Sequence, residues 1–444
     1  MNARSAAPDR LHWAALAAIT AVGAWVRVVY LWQPVRQDEA RSFLTFVVAP
    51  FGEGLTDYSI PNNHLFHTFL AKLSVGIFGE HLWSLRLPVL IAGILLVPAT
   101  YLALRKLDTT QTALLSAAFV AGSSILIEFS SNARGYMIQD LIFIVLVALG
   151  AMILRRPRPW HWPAFAVLGA LGFYTVPAMI YPFGGLLLWL SAAVLWRDGR
   201  RGLRFMITRL VPAAAATGAL TAALYAPVVL RSGLDPVIHN RFNSPLPFDF
   251  WLRRDRAFLK GAWRDWIRDM PLPVVYLLVA AAVAWFLFGR TRKEYRWMPA
   301  AACALVALGL PVVQRVAPFS RTWLYLLPLF LGASAAGIVY ALDRLPSDRA
   351  RSIVSVAVPI ASVAVAGALS LAVVRSGAVL RSASTGAAPD AEEITAYLAG
   401  RLRTGDRVAA IGPQLQTLRF SFRLEGMPSY LFLPSCRAGQ DGCP

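Results

Sequence analysis

Apolar residues in this chain come in long runs separated by short, mostly basic stretches. The runs, of about 17–24 residues, match the ~20 residues a helix needs to cross the hydrocarbon core of a bilayer. They fall at about 11–32, 84–104, 111–128, 138–154, 162–178, 179–196, 210–230, 272–289, 298–315, 323–342 and 353–375. Apolar and polar positions do not alternate within them, as they would in the strands of a transmembrane β-barrel. The pattern therefore predicts an all-α polytopic membrane protein with about eleven transmembrane helices. The first run, Leu11 to Trp32, is too long for a signal-peptide core and has no small-residue cleavage site, so it is expected to stay as the first span.

Arginine and lysine cluster at Arg105-Lys106, Arg155 to Arg158, Arg197 to Arg209, Arg290 to Arg296 and Arg344 to Arg351. Basic loops face the cytoplasm and anionic lipid. An odd number of spans with a cytoplasmic N-terminus puts all of these clusters on one side and the C-terminus on the other. The run His64 to Gly79 is too short and too charged to be counted: as a span it would flip every later loop. It is expected to be an amphipathic helix in the outer interface, with Arg41 to Val48 as a second. Three outer regions result: a first loop at 33–83, a long loop at 231–271 rich in Arg and Trp, and the tail. The chain thus divides into a membrane domain, 1–375, and a small region, 376–444. In the latter, Glu392 to Leu398 reads as helix and Arg407 to Ile411 as strand, a small α/β appendage with too little core to stand alone.

Composition agrees: 57% of the 444 residues are hydrophobic and only 15% are charged, and mean hydropathy is +0.54. A soluble domain carries about a quarter charged residues. The net charge of +19 sits mainly in the cytoplasmic loops, so it points to membrane lipid and not to nucleic acid. Of three cysteines, Cys303 lies in an apolar run and is expected to be packing. Cys436 and Cys443, in the outer tail, either pair as a disulfide or stay as two thiols.

Candidate chemistry concentrates in the outer loops. Asp38-Glu39 follows the first span; carboxylates there are either solvated caps of the next helix or functional groups. Ile60-Pro61-Asn62-Asn63-His64 places two amides and an imidazole at the start of the interfacial helix, suited to sugar hydroxyls or a phosphate, or else to turn and cap chemistry. Ser131 to Tyr136 holds Arg134 on the outer side against the positive-inside trend. Its partner is expected to be an anion: a phosphate, Asp38/Glu39, or Asp140. Arg321, among Phe319, Trp323 and Tyr325, sits at the level of a lipid phosphate, where snorkelling toward bulk lipid is the plainer alternative. Arg231, His239 and Arg241 in the long loop are weaker candidates. No Walker-type phosphate loop, metal-spaced His/Cys cluster or nucleophilic serine motif is present.

At these residues the chain resembles the GT-C glycosyltransferases, in particular the glycosyltransferase family 39 group that includes protein O-mannosyltransferases and the lipid A aminoarabinose transferase type. The resemblance is carried by Gln37-Asp38-Glu39-Ala40, Pro61-Asn62-Asn63-His64-Leu65, Phe78 to Pro88, Ala133-Arg134-Gly135-Tyr136 and Arg321 to Pro328. It is fullest over about residues 10–200. Relatives often carry a Lys-Pro-Pro or similar element where this chain has Asn62-Asn63-His64.

The resemblance implies a GT-C-like membrane enzyme of the cell envelope. It would take a polyprenyl-phosphate sugar as donor and an extracytoplasmic protein, lipid or polysaccharide as acceptor, and would invert the anomeric carbon. No other cofactor and no metal are called for. Asp38, with Glu39 beside it, matches the acidic general base. Arg134, Arg321 and His64 are expected at the donor phosphate, and Asn62, Asn63, Tyr136 and His239 at sugar or acceptor. Two rival classes are an O-antigen-type polymerase or ligase, which the long outer loop would suit, and a lipid-linked substrate transporter or flippase. The latter would place charges mid-span and commonly carries internal repeats, and few mid-span charges and no repeat are visible. A non-catalytic membrane protein is a third alternative.

Overall fold

The structure is a computed structural model. It describes residues 6–238, 244–289, 298–344, 347–382, 384–386, 388–403, 405–410, 414–428 and 431–432. His239, Arg241, Cys436 and Cys443 lie outside the described residues. Each of the eleven apolar runs is helical. Six helices are long and apolar enough to cross a membrane singly, and up to eight if two bent pairs each count as one crossing. The helices Pro299–Gln314 and Leu326–Leu342 are shorter and apolar. Large apolar side chains on the outside, such as Trp196, Leu230 and Val313, form the surface a bilayer would solvate.

The helix Leu82–Leu107 is central. It packs on Tyr136–Arg155, Thr110–Ala121, Leu65–Phe78 and Ala6–Val29. Its sequence explains its ends. His81 N–H is taken by Ser84 Oγ at 3.2 Å, three residues on, and Arg105 and Lys106 occupy the last turn, where cations suit the helix dipole. The segment expected as one span at 111–128 is instead two helices, Thr110–Ala121 and Ser124–Ser130, bent by 64°. The break leaves backbone carbonyls without partners, and Arg27 of the first helix supplies donors: Nη1 to Ala121 O at 3.0 Å and Nη2 to Val120 O at 3.2 Å. Arg27 Nε also donates to Ser130 Oγ at 3.0 Å. A fully buried cation at membrane depth is thereby satisfied.

The first outer loop folds back onto the bundle. Leu65–Phe78 is helical as expected and ends at Gly79, where φ is +85° and a side chain would be strained. Its exposed residues include Leu73, Ile77 and Phe78, in keeping with an interfacial helix. The second expected interfacial helix differs. Gln37–Ser42 continues into a π-helix, Phe43–Val47, and Phe43, Phe46 and Val47 are buried in protein. The apolar character of Phe43 and Val47 serves a local core with Val35, Ala71, Leu85, Ala133 and Phe420, not lipid. Lys72 closes the π-turn, donating to Val47 O at 3.0 Å and Ala49 O at 2.5 Å.

After the last long helix, Asp348–Ser376, two short helices, Ala391–Ala399 and Gln414–Leu424, share a small core with Phe432. The expected strand at Arg407 to Ile411 amounts to one parallel bridge, Val408 to Phe432. No sheet forms among the described residues, and Ile411 lies outside them. Helix Gln414–Leu424 does not hang free: Phe420 meets Phe43 edge-on at 5.0 Å, and Arg423 is paired with Glu80 at 2.7 Å.

Candidate active site

Two carboxylates adjacent in sequence part company in space. Glu39 is fully buried and faces Arg86, which is also fully buried. Its Oε1 accepts from the Arg36 N–H at 2.8 Å and from Arg86 Nη2. Its Oε2 accepts from Arg86 Nε at 3.0 Å and from the Ala133 N–H at 2.9 Å. Arg86 spends its remaining donors on the carbonyls of Leu31, Gln33 and Pro34. Glu39 is thus a four-way anchor that joins the first outer loop, the central helix and the loop of Arg134. Its lone pairs are engaged, so it has no free oxygen to offer a substrate. The capping alternative fits Glu39, with burial in place of solvation.

Asp38 points the other way. It is 22% exposed, and Arg321 Nη2 lies 3.5 Å from its Oδ2. Both line a cavity of about 1160 Å³ together with Arg41, Asn62, His64, Arg134, Tyr136 and Arg315. Arg321 is placed by aromatics: its Nε donates to Tyr136 Oη at 3.0 Å, and its guanidinium lies 4.5 Å from the Phe319 ring centroid. Burial alone would lower the Arg321 pKa, but the Tyr136 phenol and the Asp38 carboxylate outweigh it and hold it above the ordinary value. Arg321 therefore faces the site, which sets aside simple snorkelling toward bulk lipid.

Arg134 is 2% exposed. Its Nη1 donates to Ser42 Oγ and to Asn62 O, both at 2.8 Å. Asp140 is not among these partners: it is buried one turn into the helix Tyr136–Arg155, with Oδ2 unpartnered. Burial lowers the Arg134 pKa, and the charge of Asp38 acts against that.

His64 completes the corner, and its protonation can be read from its neighbours. The Gly135 N–H donates to Nδ1 at 2.8 Å, so Nδ1 is the acceptor nitrogen. Burial first, then the charge of Arg134, push the imidazole pKa well below its ordinary value. Both effects favour the neutral ring. Arg134 Nη2 faces Nε2 at 2.9 Å. Arg134 Nε is buried without a hydrogen-bond partner. An unpaired buried donor is costly unless an acceptor arrives. A corner of this kind is preformed for an anionic oxygen.

The other expected contacts divide. Asn62 lines the cavity and donates from Nδ2 to Asp38 O at 3.0 Å and Ser42 Oγ at 3.1 Å. Tyr136 lines it as well. Asn63 turns inward, donating to Gly54 O at 2.9 Å and Asp57 O at 2.8 Å and accepting from Thr68 Oγ1 at 2.7 Å. With both ends of its amide engaged, Asn63 bolts the loop. Arg231 pairs with Glu53 at 2.6 Å on the surface. The sequence assigned no role to Ser42, nor to Arg86 within the stretch Phe78 to Pro88. Arg86 carried a signal, a cation inside an apolar run; Ser42 carried none. Among the described residues no group of three or more His, Cys, Asp or Glu is placed to hold a metal ion.

Residues 62–229 match the family model described as dolichyl-phosphate-mannose-protein mannosyltransferase. That stretch includes Asn62, His64, Arg134 and Tyr136, but neither Asp38 nor Arg321. No curated protein sequence matches the chain. Among solved structures, it is similar to ArnT from Cupriavidus metallidurans in the apo state, with TM-score 0.63 and 13% identity over 91% of this chain and 83% of that one. ArnT bound to undecaprenyl phosphate gives 0.60 and 16% over 91% and 84%. The oligosaccharyltransferase AglB from Archaeoglobus fulgidus, in complex with an inhibitory peptide and a dolichol-phosphate, gives 0.53 and 13% over 89% of this chain and 58% of that one. The chain is therefore an integral membrane protein with the fold of the GT-C glycosyltransferases, and its residues 62–229 match the dolichyl-phosphate-mannose-protein mannosyltransferase family model.

Proposed function

We propose that this chain is a glycosyltransferase that moves a sugar from a polyprenyl-phosphate donor to a hydroxyl on an extracytoplasmic acceptor, inverting the anomeric carbon. The observation that carries the reading is the gathering of Arg134, Arg321 and His64 around one cavity with Asp38, where Arg134 Nε is buried without a hydrogen-bond partner. A phosphate oxygen supplies the acceptor that Arg134 Nε lacks. The similar ArnT and AglB structures are complexes with undecaprenyl phosphate and a dolichol-phosphate, which supports a lipid-linked donor here.

In this reading Asp38 is the base. It takes the proton of the acceptor hydroxyl as that oxygen bonds to the anomeric carbon, and the carbon–phosphate oxygen bond breaks on the opposite face. The leaving polyprenyl phosphate gains charge, which Arg134 and Arg321 stabilise as it develops. Asn62 and Tyr136 border the sugar. Glu39 holds the loop and takes no proton. By the basic-loop pattern the site lies on the outer face of the plasma membrane, with the N-terminus in the cytoplasm.

The test is consumption of labelled polyprenyl-phosphate sugars by purified protein with and without acceptor. A transferase consumes donor when acceptor is present, whereas a flippase leaves the donor intact. Asp38→Asn is expected to abolish consumption in a protein that inserts and folds as wild type. Full activity in Asp38→Asn sinks the base assignment.

A further inference from the structure

The stretch after the last long helix turns back across the loop that carries Asp38. Gly386 O accepts the Gln37 N–H at 2.8 Å, and Thr385 O accepts the Asp38 N–H at 3.2 Å. Gln37 and Asp38 open the helix Gln37–Ser42, and the first N–H groups of a helix find no partner within it. The returning chain is their cap, supplied from nearly the other end of the sequence. Arg36, just before this helix, grips the same stretch through the carbonyls of Val379, Ser382 and Ser384. Glu128 adds a second hold, accepting from Ser382 Oγ at 2.9 Å and from Arg268 Nη2 at 2.9 Å.

Thr385 is the residue on which this strap turns. Its Oγ1 accepts from Asn132 Nδ2 at 2.9 Å, two residues before Arg134. One residue therefore touches both the loop of Asp38, through its carbonyl, and the loop of Arg134, through its hydroxyl. It does so at φ +62°, a left-handed conformation that a β-branched side chain resists. Among the described residues the only other non-glycine at positive φ is Arg315, which lines the cavity. Backbone strain held beside a site points to use. A glycine would make this turn without strain. What threonine supplies and glycine lacks is the hydroxyl held by Asn132 and a backbone confined to one well.

We propose that Thr385 is a positioning residue: through the strap at 384–386 it sets the distance between the Asp38 carboxylate and the Arg134 loop. The inference rests on the reading of Asp38 as base. Full-length Thr385→Gly, Thr385→Ser and Asn132→Ala are to be purified and assayed with whichever polyprenyl-phosphate sugar the wild type consumes. Misplacing a reacting group by ~1 Å costs on the order of 10²-fold in rate. Thr385→Gly and Asn132→Ala are therefore expected to lose kcat on that order with donor KM unchanged. Thr385→Ser, which keeps the hydroxyl, is expected to restore most of it. The melting temperature of Thr385→Gly is expected to equal or exceed that of wild type, since glycine relieves the strain.

Wild-type kcat in Thr385→Gly overturns the proposal. So does a Thr385→Gly protein that fails to fold, because glycine is the residue this φ favours. Asp38→Asn run in parallel separates the two ideas. Inactive Asp38→Asn beside fully active Thr385→Gly removes the strap alone. Fully active Asp38→Asn removes the base reading and the strap with it.

Discussion

Exchanging one atom in each of the two adjacent carboxylates should give opposite results. In Glu39→Gln, one of the two oxygens becomes an NH2 group. Whichever way the amide turns, that NH2 meets donors: Arg36 N–H and Arg86 Nη2 on one side, Arg86 Nε and Ala133 N–H on the other. Both Glu39 and Arg86 are at 0% exposure, so no water screens the loss and the guanidinium is left without its counter-charge. Breaking a fully buried pair costs ~3–5 kcal/mol, against a total of ~5–15 kcal/mol for an ordinary fold. Asp38→Asn removes only a partly exposed contact of 3.5 Å to Arg321, worth ~0–1 kcal/mol. Glu39→Gln is therefore expected to lower the melting temperature in detergent and to open the first outer loop to protease, losing activity as a consequence. Asp38→Asn is expected to melt and resist protease as wild type while losing transfer by ~10²–10⁴-fold, the scale of a missing general base. A well-folded, inactive Glu39→Gln beside an active Asp38→Asn would refute the reasoning and exchange the two roles.

His64 is neutral when folded but takes a proton near its ordinary pKa when unfolded, so the unfolded chain binds more protons below that point. Stability is thus fully present above pH ~6.5 and is lost as pH falls below it, by up to ~1.4 kcal/mol per pH unit. Melting curves from pH 7.5 to 5 should show this slope in wild type and a shallower one in His64→Gln; equal slopes would discard the assignment. Arg321→Lys keeps the charge but loses the Nε bond to Tyr136 and the stacking on Phe319, so transfer should fall by ~10²-fold with folding intact, as read by initial rates. In Gly135→Ala the new Cβ would lie 2.7 Å from Thr175 Cγ2 and 2.9 Å from His64 Nδ1. It should displace the imidazole and raise the Kd for polyprenyl phosphate, measured by titration; unchanged binding would mean that His64 lies outside the phosphate corner.

The apolar runs alone specified the helices, because a span must satisfy its backbone within itself and be apolar along its whole length, and both demands are local. Arg134 and Arg321 stood out by their departure from the basic-loop pattern, and the structure puts both on one cavity. The roles of Asp38 and Glu39 could not be read in the same way. As neighbours in sequence they look alike, and they differ only because Arg86, some 47 residues away, meets one and not the other. The same holds for Asn62, which borders the cavity, and Asn63, whose amide is consumed by Gly54 and Asp57.

Sequence by itself determined that the chain is a bundle of apolar helices joined by short, mostly basic loops, since hydropathy and loop charge act on each segment separately. Only the tertiary structure decided which carboxylate is buried as an anchor and which stays open. It also decided that the chain beyond Ser376 returns to cap the helix of Asp38. The reason is physical: a buried charge or an orphan N–H takes whatever partner the packed elements bring to it, and that partner has no fixed distance along the chain.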